Sequence, residues 1–223
     1  MPNDLTFDFP IDTSRLVRAF DNPDDIGAIV RTHYELDRAL SHVLAKFYSN
    51  PKKLGANRVG PKIERLEALG FGGPRIAAIR CIDDLRNAVA HRDKEEINGQ
   101  DLMLLRRHID ALTGGRFSDQ FTFTYVLNGI PKTLKYGDMS IQQQFCMLAF
   151  TAIAALAALP HEVEAARSAK GSQAGTNGKE AGGADDYIDI DRLAAVNGIP
   201  VLPSRGVVVT KELIDRLIEE SGE

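Results

Sequence analysis

Not one residue between Phe145 and Leu159 is charged. A helix that is apolar all round has no face to give to water and belongs inside a fold. This run falls short of the ~20 residues that cross a bilayer and is rich in alanine, so it predicts a buried helix. Ser140 is placed to cap it, and the pattern continues to about Ala158 and, past Pro160, to Ala169. With 223 residues the chain has enough length for one substantial core plus an appendage.

The rest of the chain supplies helices to surround that run. A short helix follows Asp12 or Thr13, both suitable N-caps. Asn22-Pro23-Asp24-Asp25 reads as a helix start, its carboxylates matching the helix dipole. From Asp24 to Tyr48, Ile26, Ile29, Val30, His33, Leu36, Leu40, Val43, Leu44 and Phe47 recur at helical spacing, and Ser49-Asn50-Pro51 ends the element. Pro61 opens a short helix that Leu69-Gly70 closes. A further helix spans about Gln100 to Leu112, stopped by Gly114-Gly115. The period then changes. Phe121, Phe123 and Tyr125 alternate with Thr122, Thr124 and Val126, and Asn128-Gly129 follows, which predicts a hairpin over about 119–137 with its return strand near Lys132 to Tyr136.

The helix expected over Arg75 to Arg92 carries the chemistry. Ile76, Ile79, Ile82, Leu85 and Val89 share one broad side. Arg80, Asp84, Asn87 and His91 form a polar seam on the other, spaced so that Asn87 can hold His91. Arg86 stands at the border. Arg86, Asn87 and then His91, five positions after the arginine and late in an amphipathic helix, resemble the signature of the HEPN superfamily. The text upstream is similar to the branch represented by the mannitol operon repressor: Gly60-Pro61-Lys62-Ile63-Glu64-Arg65-Leu66-Glu67-Ala68-Leu69-Gly70, followed by the motif helix. The resemblance covers roughly residues 24 to 115.

That resemblance implies a helical bundle and, in the active members, two motif helices meeting across a homodimer to cut RNA without a metal. The residue types suit the task. An imidazole titrates near neutral pH and can move protons. A guanidinium fork can stabilise charge on a phosphoryl group. The expected catalytic set is Arg86 for the phosphoryl group, His91 for protons and Asn87 for positioning. Arg80, Arg92, Arg106 and Arg107 are candidates for binding the RNA backbone. No metal and no cofactor is expected. The implied partners are a second copy of the chain, RNA, and an antitoxin or regulatory protein, with no membrane. Some HEPN toxins carry a tyrosine two residues after the histidine, modified by a nucleotidyltransferase. Here that position is Asp93, so this control is not implied.

Structural readings of the same residues stand beside these. Arg86 can pair with Asp83 or with a carboxylate on another helix. His91 can be a C-terminal cation favoured by the dipole. Asn87 can satisfy loop backbone. In that case the domain is a non-catalytic regulatory or binding module similar to the mannitol operon repressor. His33 reads as a satisfied core histidine, His42 and His161 have no ligand-like neighbours in sequence, and His108 belongs to a solvated face. Gln142-Gln143-Gln144 reads as the exposed start of a helix. Cys81 and Cys146 read as reduced core residues. A net charge of −4 argues against a broad duplex-DNA surface and leaves room for a small RNA site. Acidic residues Asp4, Asp8 and Asp12 interrupt the start where a secretory signal would need an apolar run, and a cytoplasmic setting is expected.

The fold class expected is thus mainly α, a HEPN-type bundle over 1–167 with one inserted hairpin. Residues 168–185, rich in Gly, Ala and Ser, read as a flexible linker. Residues 186–223 recover pattern and end in an amphipathic helix, Leu213, Ile214, Leu217 and Ile218 on one side. This tail is too small for a core of its own and is expected to dock on the domain or on a partner.

Overall fold

In a computed structural model, described for residues 9–21, 23–48, 56–92, 94–115, 122–127 and 130–174, the chain is mainly helical with one small hairpin. The elements are α1 (Thr13–Asp21), α2 (Asp25–Phe47), α3 (Val59–Ala68), α4 (Gly73–His91), α5 (Gly99–Leu112), β1 (Thr122–Leu127), β2 (Ile130–Lys135), a 3-10 turn (Tyr136–Asp138) and α6 (Ile141–Ala174). The expected 119–137 hairpin is present as an antiparallel pair running from Thr122 opposite Lys135 to Leu127 opposite Ile130. Its tip residues, 128 and 129, lie outside the described residues, as do 175–185 of the expected linker and the whole 186–223 tail. Helix α6 itself runs to Ala174, into the stretch expected to begin the linker at 168.

Helix α6 is the centre of the bundle. It packs against α1, α2, α4 and α5. Phe145, Cys146, Leu148, Ala149, Ala152, Ile153, Ala155 and Leu156 are all essentially inaccessible to water. By length and composition Ile141–Ala165 is long and apolar enough to cross a membrane, which corrects the reading taken from Phe145–Leu159 alone. Of an apolar 18-residue window within it, 83% is buried inside the bundle, where the neighbouring helices supply its apolar surroundings. Pro160 sits inside the helix without ending it. Proline removes its own N–H bond and crowds the carbonyl of Leu156, a cost of about 3 kcal/mol that burial of the flanking residues offsets.

Local chemistry sets the ends. Ser140 and Gln143 exchange bonds at the start of α6, Gln143 N donating to Ser140 Oγ and Ser140 N to Gln143 Oε1. Gln142 is buried, against the expectation of an exposed start, and its side-chain amide donates to the Ala19 carbonyl of α1. Asn98 caps α5 in a reciprocal box with Asp101. Gly70, at φ 90°, closes α3 where a side chain would be strained, and Phe71 N then donates back to the Leu66 carbonyl. Helix α3 opens two residues earlier than expected, at Val59, because Pro61 needs no amide donor in a first turn.

Helix α2 buries Ile29, Leu36, Leu40 and Val43 against this centre, and α4 buries Ile76, Ile79, Ile82 and Leu85. Each such side chain contributes about 1.5–3 kcal/mol. Glu35 and Lys62 are among the polar groups buried with them. Glu35 takes Arg15 of α1 at 2.6 Å and Arg38 at 2.9 Å, so α1 is strapped to α2 by charge. Lys62 reaches Asp37 and Ser41, each at 2.7 Å, and fixes α3 on α2.

Candidate functional site

The sequence motif lies on the last two turns of α4. Helix propensity and the buried isoleucines fix which side of α4 faces inward, and they leave Asp83, Arg86 and Asn87 half-buried at the edge and His91 exposed at the end. Helix α2 passes on that side and brings His33 to it.

These side chains form one connected line. His33 Nε2 lies 2.9 Å from Asp83 Oδ1 and donates to it, because a carboxylate only accepts. Asn87 Nδ2 donates to the other oxygen, Asp83 Oδ2, at 3.3 Å. Asn87 Oδ1 is thereby turned toward Arg86, whose Nη1 donates to it at 3.1 Å. The orientation of the Asn87 amide follows from its neighbours: a carboxylate needs a donor and a guanidinium needs an acceptor. His33 and Asp83 are 17% and 16% exposed at their side chains, shielded but within reach of solvent.

Several sequence expectations change here. Asn87 does not hold His91 but is spent on Asp83, one turn upstream, and on Arg86. Arg86 does not pair with Asp83, which is taken by His33. His33 is satisfied, as expected, yet it stands at the α2–α4 seam rather than in the core. Its role was missed because apolar neighbours at helical spacing pull it onto the buried side of α2, and Asp83 is fifty residues away in sequence. The one available signal was the carboxylate of Asp83, one turn before Asn87, which the sequence also offered to Arg86.

The other predicted residues are dispersed. Arg80 is held by both oxygens of Glu67 on α3, Nε at 3.0 Å, and the same carboxylate raises its pKa further. Arg106 bridges to Asp110 at 3.5 Å and lies over the Tyr136 ring. Arg92 and Arg107 are exposed. Among the described residues Arg86 has no carboxylate partner, so its charge is open to an anion. Among them, too, no group of three His, Cys, Asp or Glu is gathered as a metal would need.

Around this line the surface of α2 is apolar. Ile26, Val30 and Tyr34, spaced by four, are 40%, 50% and 50% exposed. Cys81 is half-buried on α4 and Cys146 is buried in α6. Burial pushes the two thiols up, to about 11 and about 12. Neither is a nucleophile at neutral pH. Comparison of the chain with protein-family models, with characterised proteins and with solved structures finds no match.

Proposed function

We propose that the chain is a metal-independent endoribonuclease of the HEPN type, working as a homodimer in a toxin or defence setting. The observation that carries this reading is the state of Arg86: half-buried, without a carboxylate partner among the described residues, and held by Asn87 on the helix that ends in an exposed His91. A guanidinium so held can take two oxygens of a phosphodiester and stabilise the charge that builds there. In the reaction, a base removes the proton of a ribose 2′-hydroxyl, the oxygen attacks phosphorus, and the bond to the 5′-oxygen breaks as that oxygen is protonated. His91 moves protons, and its counterpart in a second copy completes the site. Arg92 and Arg107 add backbone-binding charge. Arg80 and Arg106 contribute less, since acidic neighbours offset them.

The test is cleavage of single-stranded RNA in EDTA by the wild type and His91→Ala. The expected result is product ending in 2′,3′-cyclic phosphate from the wild type and a loss of about 10²-fold or more in the variant. Equal cleavage by both, or none by either, removes the reading.

A second reading draws on a different observation. The exposed stripe Ile26, Val30 and Tyr34 beside His33 suits a non-catalytic regulatory module, similar to the mannitol operon repressor, in which the motif of Arg86, Asn87 and His91 stiffens a dimer interface. That reading expects His91→Ala to lower the melting temperature. The nuclease reading expects no such change from an exposed side chain.

A further inference from the structure

The geometry points to a relay in which His33 and Asp83 are positioning residues for Arg86. This inference rests on the endoribonuclease reading for its purpose, but its structural content is separate. Arg86 sits at the end of a line of three hydrogen bonds: His33 Nε2 to Asp83 Oδ1 at 2.9 Å, Asn87 Nδ2 to Asp83 Oδ2 at 3.3 Å, Arg86 Nη1 to Asn87 Oδ1 at 3.1 Å. Each donates in the sense that the next requires. An amide side chain can turn over at little cost, and either orientation fills the same volume. What decides the orientation of Asn87 is Asp83, which has lone pairs and no proton to give. What keeps Asp83 from rotating onto another donor is His33, reaching across from α2. The carbonyl oxygen of Asn87 is therefore fixed toward the guanidinium. Arg86 has a long side chain and loses much rotamer freedom when it binds phosphate. Holding it in advance reduces that loss. Helix α2 thus sets the readiness of a cation on α4.

The donor sense makes a sharp test. In Asp83→Asn the new side chain can still accept from His33, but it then offers an N–H to Asn87. Asn87 turns over and presents its own N–H groups to Arg86, donor against donor. The double variant Asp83→Asn/Asn87→Asp restores the sense, since the amide introduced at position 83 now donates to a carboxylate whose other oxygen accepts from Arg86. Asn87→Asp alone sets two carboxylates face to face. His33→Gln keeps a donor near the Nε2 position, and His33→Leu removes it.

RNA cleavage rates at saturating substrate and hydrogen exchange of the Arg86 Nη1–H by NMR are measured on all five variants, well below their melting temperatures. A positioning residue acts one step back from the phosphate, so its loss costs less than the ~10²–10³-fold of a direct donor. Asp83→Asn and His33→Leu are expected to cleave about tenfold slower and to exchange the Arg86 proton faster. His33→Gln is expected to stay within about threefold of wild type in both readouts. The double variant is expected to exchange the Arg86 proton more slowly than either of its single variants while cleaving slowly, because a carboxylate at position 87 offsets the charge of Arg86. A double variant that exchanges the Arg86 proton no more slowly than Asp83→Asn overturns the relay, whatever His33 does. If wild type does not cleave RNA, the functional reading falls alone. The relay then stands if the Arg86 exchange follows the same order, and falls if Asp83→Asn leaves that exchange unchanged.

Discussion

Arg75 near the start of α4 and Glu162 in α6 form a pair whose two halves should be unequal when cut. Arg75 Nη2 donates to both oxygens of Glu162, at 3.0 and 2.8 Å. The arginine side chain is 9% exposed and the glutamate 35%. Glu162→Ala leaves a guanidinium buried without its counter-charge, and among the described residues its Nε already lacks a partner. Breaking a fully buried pair in this way costs about 3–5 kcal/mol. A carboxylate one-third exposed is already partly hydrated, and water can follow into its place, so the expected loss is about 2–3 kcal/mol. For a domain of this size that is roughly a 5–10 °C fall in melting temperature. Arg75→Met is different. It removes the charge that needed pairing, keeps an apolar stem against α6, and frees Glu162 to hydrate, for about 0–1 kcal/mol. The double variant should match Arg75→Met within about 0.5 kcal/mol, giving a coupling of about 2–3 kcal/mol. Urea unfolding of the four proteins measures all of this. If Arg75→Met is as destabilising as Glu162→Ala, the pair is not governed by the burial of the arginine and the reasoning fails.

Other outcomes follow from the same geometry. Asn98→Ala removes the side-chain acceptor for Gln100 N and Asp101 N, leaves the Asn98 N–H bond to Asp101 in place, and should cost about 1 kcal/mol in the same urea assay. Ile79→Ala, at the inaccessible face of α4, should cost about 2–5 kcal/mol and lower the population able to act, seen as a fall in urea midpoint with unchanged slope. His91→Ala should change stability by less than about 0.5 kcal/mol while removing cleavage, so an equal loss of both would count against catalysis. Burial holds Cys146 protonated up to about 12. An unfolded thiol ionises near 9, so the stability this burial contributes is full below pH 9 and is lost as pH rises from there toward 12. Native-state alkylation should accordingly find Cys81 slow at pH 8 and Cys146 protected until unfolding, and rapid labelling of Cys146 in the folded protein would refute its burial.

The helices were legible because their signals are local. Ser140, Asn22-Pro23 and Gly70 mark ends by chemistry confined to one turn, and the 2-residue period of Phe123 and Tyr125 announced the hairpin. The motif helix was placed to within two residues, since its isoleucines repeat at helical spacing. What could not be read was the traffic between helices. Gln142 looked like solvated helix start and instead ties α6 to α1, because only the arrival of Ala19 gives its amide a buried acceptor. Arg80 looked available until Glu67, thirteen residues earlier, closed on it. His33 and Asp83 each looked ordinary alone. Their meeting depends on how α2 crosses α4, a matter of ridge packing that no spacing within one helix encodes.

The length of α6 has a consequence of its own. At about 1.5 Å per residue, Ala174 lies some 16 Å of helix beyond Val163, a deeply covered residue near the start of its far half. Glu164, Ala165 and Ser168 on that stretch are exposed, so the helix leaves the body's cover just past Val163. A protease cutting within that exposed stretch would leave the hull beneath it watertight.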